Sequence, residues 1–248
     1  MMRYSLYALI LCLSLAKGAS AMKPLQKMYF ADTSKTNVHV RHVVAGTALI
    51  GLGAVGLTDY YHRNVNMPLR DYLAELRQND FYHADDYIQY LPAVSTMLLN
   101  LLPRYRSGWQ DKLLLLSTAV LAETAIVNIT KYSVGSLRPD NSNRSSFPSG
   151  HTATAFMGAE LVRMEYGPWW GTAAYLTASG VGFLRMYNNR HWSNDVLAGA
   201  GAGILCARIA YWLLPWEQKQ LGKISFLPYF APYAEGGMAS GIALNYKF

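Results

Sequence analysis

The sequence predicts an all-α protein, in which a bundle of about five to six apolar helices meets a membrane and is followed by a short C-terminal β-strand or hairpin. Two observations predict this fold class. Of the 248 residues, 52% are hydrophobic and only 15% are charged, whereas soluble domains carry roughly a quarter charged residues. Apolar stretches of helical length also recur along the chain. The formal charge of +7 is spread along the sequence, so no basic arm indicates a nucleic-acid partner.

The first 21 residues are typical of a secretory signal peptide. Arg3 precedes an almost continuously apolar run over residues 6–15, and Ala19-Ser20-Ala21 offers the small residues that a signal peptidase accepts. An uncleaved anchor is the alternative. We therefore expect a signal peptide over residues 1–21, a helical domain over 22–218 and a tail with strand character over 219–248.

Six apolar stretches predict the helices of the bundle. Several contain glycines at close spacing, which let helix backbones approach one another within a bilayer. A soluble bundle stays the alternative, because Glu123, Glu160 and Arg163 lie in or beside stretches that are short for a span of about 20 residues. The stretches cover residues 43–57, 91–102, 113–129, 152–162, 169–183 and 196–214.

Two further elements complete the predicted fold. Leu69, Leu73 and Leu76 recur at helical spacing among charged residues, which predicts an amphipathic helix before the second apolar stretch. Near the C-terminus, apolar residues alternate with small or polar ones over 242–248, and a turn signal precedes them at 235–237. This alternation predicts a terminal strand or small hairpin.

The number of membrane spans conflicts with the expected orientation. If the signal peptide is removed, the mature chain starts outside the membrane, and three complete spans before Lys131 would then place the following loops in the cytoplasm. We expect the stretch at 91–102 to be a false span, because Pro92 and Pro103 bound it and it is far shorter than about 20 residues.

Three short clusters at the ends of apolar stretches carry chemical groups. In the first, Lys131 is followed after six residues by Arg138-Pro139. Proline turns the preceding residue away from helical geometry, so both cations lie where a helix gives way to irregular chain. Together they can neutralise a phosphoryl group, with Arg as a planar fork and Lys as a point charge. Taken alone, two basic residues at a helix end are more often partners of the helix dipole or membrane-flanking anchors.

The second cluster is Pro148-Ser149-Gly150-His151, which opens a predicted helix. A helix N-terminus offers unpaired backbone N–H groups to an anion, and Gly150 has no Cβ to block the approach. Ser149 can cap the helix or donate its hydroxyl group. His151 would then lie beside a bound phosphate, where it could pass a proton to a leaving oxygen.

The third cluster comprises Arg185, His191 and Asp195. His191 and Asp195 are four residues apart, which places them on one helix face if the last helix begins near His191. A carboxylate on one imidazole nitrogen fixes the tautomer and leaves the other nitrogen as a base or nucleophile. A capped helix with a satisfied His-Asp pair is the structural alternative. Arg185 adds a third cation across the segment 186–190, which we expect to be irregular.

Taken in order, the three clusters resemble the signature of the type 2 phosphatidic acid phosphatase superfamily, which includes membrane lipid phosphatases, soluble bacterial acid phosphatases and vanadium haloperoxidases. The resemblance covers residues 131–195, and the family usually has Ser where this chain has Leu184. The resemblance implies that His191 is the nucleophile, that Asp195 orients it and that His151 is the general acid and then the base. It also implies that the phosphoryl oxygens bind Lys131, Arg138, Ser149, Gly150 and Arg185.

The family resemblance implies a metal-independent phosphatase that acts on a phosphorylated envelope lipid, with the site facing the bacterial periplasm. No metal or other cofactor is expected, because the remaining histidines lack the spacing of zinc sites. Lipid A, undecaprenyl diphosphate, phosphatidylglycerophosphate and phosphatidic acid are the expected substrate candidates. A soluble periplasmic acid phosphatase, a vanadium haloperoxidase and a non-catalytic phospholipid-binding membrane protein are the alternatives. The sequence leaves the oligomeric state open.

Overall fold

The structure, a computed structural model, describes residues 33–78, 80–102, 108–221, 224–232 and 238–246. The predicted signal peptide and the turn at 235–237 lie outside these residues. The helices are α1 (Thr33–Val55), α2 (Asp59–Tyr61), α3 (Met67–Arg77), α4 (Asp85–Ile88), α5 (Leu91–Leu98), α6 (Trp109–Val134), α7 (Gly150–Tyr166), α8 (Pro168–Tyr187) and α9 (Ser193–Leu221), with a π-helical turn at His62–Asn66 and a 3-10 turn at Leu99–Leu101. Strands β1 (Ile224–Pro232) and β2 (Met238–Tyr246) follow.

The predicted all-α class is confirmed, and each apolar stretch coincides with a helix. The amphipathic pattern corresponds to α3, and the alternating pattern near the C-terminus lies on β2. This strand pairs antiparallel with β1, from Ile224 opposite Tyr246 to Pro232 opposite Met238. The chain divides into two compact units after Tyr211; the helices that position the site belong to Met28–Tyr211.

Helices α7 and α8 pack along a shared row of small apolar residues. The Ala and Val side chains of this buried row let the two backbones lie close together, and the row also contains the larger Tyr166: Ala155, Ala159, Val162, Tyr166, Ala174, Ala178 and Val181. The α8 helix begins directly after Gly167, whose φ of +89° lies in the region that favours glycine. Short turns of this kind make consecutive helices antiparallel neighbours.

Glycines on α9 fit against the backbone of α7. A Cβ on Gly199 would lie 2.5 Å from the carbonyl oxygen of Ser149, and one on Gly203 would clash with the carbonyl oxygen of Ala153. Neither contact is compatible with any side chain. The N-terminal halves of α7 and α9 are therefore held at a spacing that only glycine permits.

A buried ion cluster joins the same helices further along α7. Glu160 is fully buried, and its carboxylate accepts hydrogen bonds from Arg163 Nε at 2.7 Å and from Tyr175 Oη on α8 at 2.6 Å. Arg208 on α9 forms an ion pair with the same carboxylate. Buried charges are tolerated when they are paired in this way, so the cluster fixes α7, α8 and α9 against one another.

Among the described residues, two helices are long and apolar enough to cross a membrane, Trp109–Val134 and Ser193–Leu221. A third crossing is counted if Val40–Val55 and Asp59–Arg77, which meet at 81°, form one broken span. The apolar segment Leu91–Leu101 is shorter than these helices, as expected for the stretch that we read as a false span.

Candidate active site

The N-terminus of α7 is built by the second cluster. Ser149 is the N-cap, and its Oγ accepts hydrogen bonds from the backbone N–H of Thr152 at 3.5 Å and from Thr152 Oγ1 at 2.9 Å. Gly150 is the first helical residue. The backbone N–H of Ser149 donates to the carbonyl oxygen of Asp195 at 3.0 Å. The starts of α7 and α9 are therefore directly joined at this end of the bundle.

The third cluster forms a buried His-Asp pair. His191 Nδ1 lies 3.5 Å from Asp195 Oδ2. The same carboxylate oxygen accepts hydrogen bonds from Ser146 Oγ at 2.5 Å and from the backbone N–H of Trp192 at 2.9 Å. Helix α9 begins at Ser193, two residues after His191 and so near the expected start, and His191 lies just before the helix. The turn into α9, rather than one helix face, brings the pair together.

The protonation state of His191 follows from its burial. Removal from water disfavours the charged imidazolium and lowers the pKa of His191 to about 4, against the opposing effect of Asp195. The positive charges of Lys131 and Arg185 lower the pKa further. His191 is therefore a neutral imidazole at pH 7, which is the form in which a ring nitrogen can attack phosphorus.

Three cations surround this pair. Lys131 lies in the last turn of α6 and its Nζ donates to the carbonyl oxygen of Ser145 at 2.7 Å. The segment 186–190 is only partly irregular, because α8 continues to Tyr187 and carries Arg185 in its last turn. The Nε atoms of Arg138 and Arg185 are buried and have no hydrogen-bond partner among the described residues. Such orphaned donors are costly unless an acceptor reaches them.

The cations also act on one another. Burial and the nearby charge of Arg185 lower the pKa of Arg138. Arg185 interacts electrostatically with Lys131, His151 and His191 as well. The structure thus brings all eight residues singled out from the sequence to one end of the bundle: Lys131, Arg138, Ser149, Gly150, His151, Arg185, His191 and Asp195.

Two acidic residues that the sequence analysis missed also belong to this end of the bundle. Arg185 Nη1 donates to Asp85 Oδ2 at 2.6 Å and lies 3.3 Å from Asp86 Oδ1. His151 Nε2 lies 2.9 Å from the same oxygen of Asp86. Both carboxylates stand on α4, about a hundred positions before Arg185. The only sequence signal for these residues was a pair of adjacent aspartates at the start of a helix. No motif or periodic pattern connects that pair to the three later clusters.

Asp85, Asp86 and His151 form the one group of potential metal ligands among the described residues, with ligand atoms within 4.8 Å of one another. The Arg185 guanidinium already lies between the two carboxylates. Its positive charge offsets part of theirs and would repel a cation placed there. We therefore interpret the group as an ion-pair network and assign no metal to it.

A polar cleft of about 360 Å³ adjoins the cluster. Its walls include Arg70 on α3 and the segment 136–141, together with Trp192 and Asn194. Of the eight candidate residues, Arg138 alone lines it. A smaller cavity that also contacts Trp192 is lined by His191. The arrangement leaves room beside the cationic cluster for a polar group larger than a phosphate.

Comparisons with known proteins agree with this geometry. Residues 112–219 match the model of the PAP2 superfamily. The lipid A 1-phosphatase of Porphyromonas gingivalis is 53% identical over 91 residues, which make up 36% of this chain and 20% of that protein. The match therefore spans about a fifth of that relative's length.

Two crystal structures are also similar. One is a transmembrane PAP2 type phosphatidylglycerolphosphate phosphatase from Bacillus subtilis, which is 23% identical in sequence. The match has a TM-score of 0.52 and covers 72% of this chain and 96% of that one, so the two proteins share the fold. Aquifex aeolicus LpxE is 27% identical with a TM-score of 0.44, covering 57% of this chain and 93% of that one. The family model spans all three clusters, which meet at one end of the bundle, so residues 112–219 match the PAP2 superfamily, in agreement with the resemblance found in the sequence.

Proposed function

We propose that this protein hydrolyses a phosphomonoester or diphosphate on an envelope lipid, without a metal ion, through a phosphohistidine intermediate on His191. The observation that carries the proposal is the buried, neutral His191 paired with Asp195 among three cations. A module that only bound phosphate would need the cations but no nucleophile.

Phosphate binding rests on donors that protein acceptors leave unused. The Nε atoms of Arg138 and Arg185 are buried without partners among the described residues, and a phosphoryl oxygen would supply the acceptor that each lacks. Lys131 adds a point charge, and the start of α7 at Ser149 and Gly150 adds backbone N–H groups. These groups together would bind the equatorial oxygens and stabilise the charge of the transition state.

The reaction then proceeds in two displacements. His191 Nδ1 is held toward Asp195, so Nε2 attacks phosphorus; a P–N bond forms, the P–O bond to the lipid breaks, and His151 donates its proton to the departing oxygen. In the second step His151 takes a proton from water, the oxygen of that water attacks phosphorus, and the P–N bond breaks. Phosphate leaves, and both histidines return to their starting states. General acid–base catalysis of this kind contributes typically 10²–10⁴-fold in rate.

A lipid substrate is supported by the surface of α6. The most apolar 18-residue window of this helix is only 22% buried, and Leu121 and Ile129 are 58% and 66% exposed. Lipid would cover such a face at little cost. Because Lys131 stands in the last turn of α6, the site would then lie at a membrane surface, which we propose to be the periplasmic one.

The name of the Porphyromonas gingivalis relative makes lipid A the first substrate to test. Undecaprenyl diphosphate, phosphatidylglycerophosphate and phosphatidic acid are the other candidates. The cleft beside Arg138 offers space for a polar headgroup, and headgroup preference is therefore expected to depend on its walls.

The test is phosphate release from these four lipids by the full chain in detergent with EDTA present. We expect activity in EDTA, a loss of at least 10²-fold in His151→Ala and a complete loss in His191→Ala. His42→Ala is the control, because His42 lies on α1 near Glu160 and away from the clusters. Activity that requires added Mg²⁺, or full activity in His191→Ala, would contradict the proposal.

Three further measurements separate the alternatives. A radiolabelled substrate should label the wild type, but not His191→Ala, with a phosphoryl group that is stable in base and labile in acid. Partition of the mature protein into buffer instead of detergent would indicate a soluble phosphatase. Halide oxidation in the presence of vanadate, where we expect inhibition of phosphate release, would indicate a haloperoxidase.

A further inference from the structure

The short helix α4 brings two adjacent carboxylates to the proposed site from outside the family domain, which begins at residue 112. Asp85 is buried, and it binds Arg185 at 2.6 Å and Asn188 Nδ2 at 3.1 Å. The side chain of Asp86 is 48% exposed. Its Oδ1 lies 2.9 Å from His151 Nε2 and 3.3 Å from Arg185 Nη1.

We propose that Asp86 is a positioning residue for His151: its carboxylate binds Nε2, so that Nδ1 is the ring nitrogen that donates the proton to the leaving oxygen. This inference rests on the hydrolysis proposed above. The site would then contain two His-Asp pairs that use different ring nitrogens, because Nδ1 of His191 lies 3.5 Å from Asp195 Oδ2 and Nε2 of His151 lies 2.9 Å from Asp86 Oδ1.

The two carboxylates of α4 make different contacts. Both contact Nη1 of Arg185, while Nε of the same guanidinium stays without a partner. The two carboxylates therefore bind Nη1 of Arg185 and leave its Nε available to a phosphate oxygen. Asp86 alone reaches His151, and this contact is shorter than its contact with Arg185. If Asp86 only filled the place of a phosphate, its carboxylate would be expected to contact the unpartnered Nε of Arg185 as well.

The charges around His151 explain why a general acid at this position needs the carboxylate of Asp86 as a partner. Burial and Arg185 lower the pKa of His151, whereas Asp86 and Asp85 raise it, and the pKa is lowered overall from 6.5. Burial raises the pKa of Asp86, but His151, Arg185 and His83 outweigh burial and hold it below its ordinary value. Asp86 is thus charged near pH 7 and favours the protonated form of His151.

The experiment compares Asp86→Asn, Asp86→Glu and the wild type, with Asp80→Asn as a control that removes the same charge from an exposed neighbouring position. The readouts are kcat and KM against pH for the lipid that the wild type hydrolyses best. In Asp86→Asn we expect kcat at pH 7 to fall by about 10-fold or more, the alkaline limb of kcat/KM to move to lower pH, and KM to change little. Asp86→Glu should restore most of kcat, and Asp80→Asn should match the wild type.

Other outcomes overturn the inference. A lower KM and a higher kcat/KM in Asp86→Asn would mean that Asp86 competes with substrate for Arg185. A profile identical to that of Asp80→Asn would mean that Asp86 has no role in the reaction. The pKa of His151, followed by NMR in histidine-labelled protein, should fall in Asp86→Asn, and an unchanged pKa refutes the inference. If the wild type releases no phosphate from any lipid, the proposed function itself fails, which is a different result.

Discussion

Gly199 sets the spacing between the starts of α7 and α9. A Cβ at this position would lie 2.5 Å from the carbonyl oxygen of Ser149 and 3.2 Å from Cβ of Thr152. Ordinary van der Waals contact begins near 3.4 Å, and close-packed interiors transmit such strain. The Gly199→Ala substitution therefore requires the two helix starts to separate by about 0.9 Å at this contact.

This displacement acts directly on the proposed chemistry. The first turn of α7 carries His151, while the first turn of α9 carries Asp195. A misplacement of about 1 Å can cost 10²-fold in rate, so we expect kcat to fall by roughly 100-fold. Overpacking should also lower the free energy of unfolding by about 1–3 kcal/mol.

The matched control is Gly180→Ala on α8. Gly180 is exposed, and an added Cβ would meet no atom within 4 Å. Alanine in a helix is more stable than glycine by roughly 0.5–1 kcal/mol, so this variant should unfold at a higher denaturant concentration and keep the kcat of the wild type. The assay is phosphate release from the lipid substrate, together with chemical denaturation in detergent. If Gly199→Ala keeps the wild-type kcat, the reasoning that α7–α9 spacing sets the catalytic geometry is refuted.

Three further predictions concern the site itself. Ser146→Ala removes the 2.5 Å hydrogen bond to Asp195 Oδ2. Hydrogen bonds to charged groups contribute about 1.5–3 kcal/mol. Steady-state kinetics should therefore show kcat reduced by about 10- to 100-fold. Arg138→Gln removes a phosphate ligand and should reduce kcat/KM by roughly 10²-fold or more, whereas the exposed Arg144→Gln should not. With neutral His191 as the proposed nucleophile and its pKa lowered to about 4, kcat/KM should fall as the pH falls through about 4 and not near the ordinary histidine value.

Each of these predictions has a contrary result. Wild-type kcat in Ser146→Ala would show that the backbone N–H of Trp192 suffices to hold Asp195. Equal losses in Arg138→Gln and Arg144→Gln would indicate a general effect of positive charge on a lipid surface. An acid limb of kcat/KM near 6.5 would mean that His191 is more hydrated than its surroundings in the fold imply.

The helices and their order could be predicted from the sequence because they depend on local pattern. Apolar residues at helical spacing predicted α3 and the six apolar helices α1 and α5 to α9, and alternation predicted β2. The residues at the helix ends could also be identified, since Ser149 caps α7 through contacts within one turn. The start of α9 was also located to within two residues, since it was expected near His191 and lies at Ser193.

The sequence by itself determined which helices form and which candidate catalytic groups stand at their ends, because both follow from interactions between residues a few positions apart. Only the tertiary structure decided that Asp85 and Asp86 meet Arg185 and His151, that Gly199 fits against Ser149, and that the imidazole of His191 is buried. These features join positions about 50 to a hundred residues apart. Their free energy depends on the packing of whole helices and on exclusion of water, which no local pattern in the chain records.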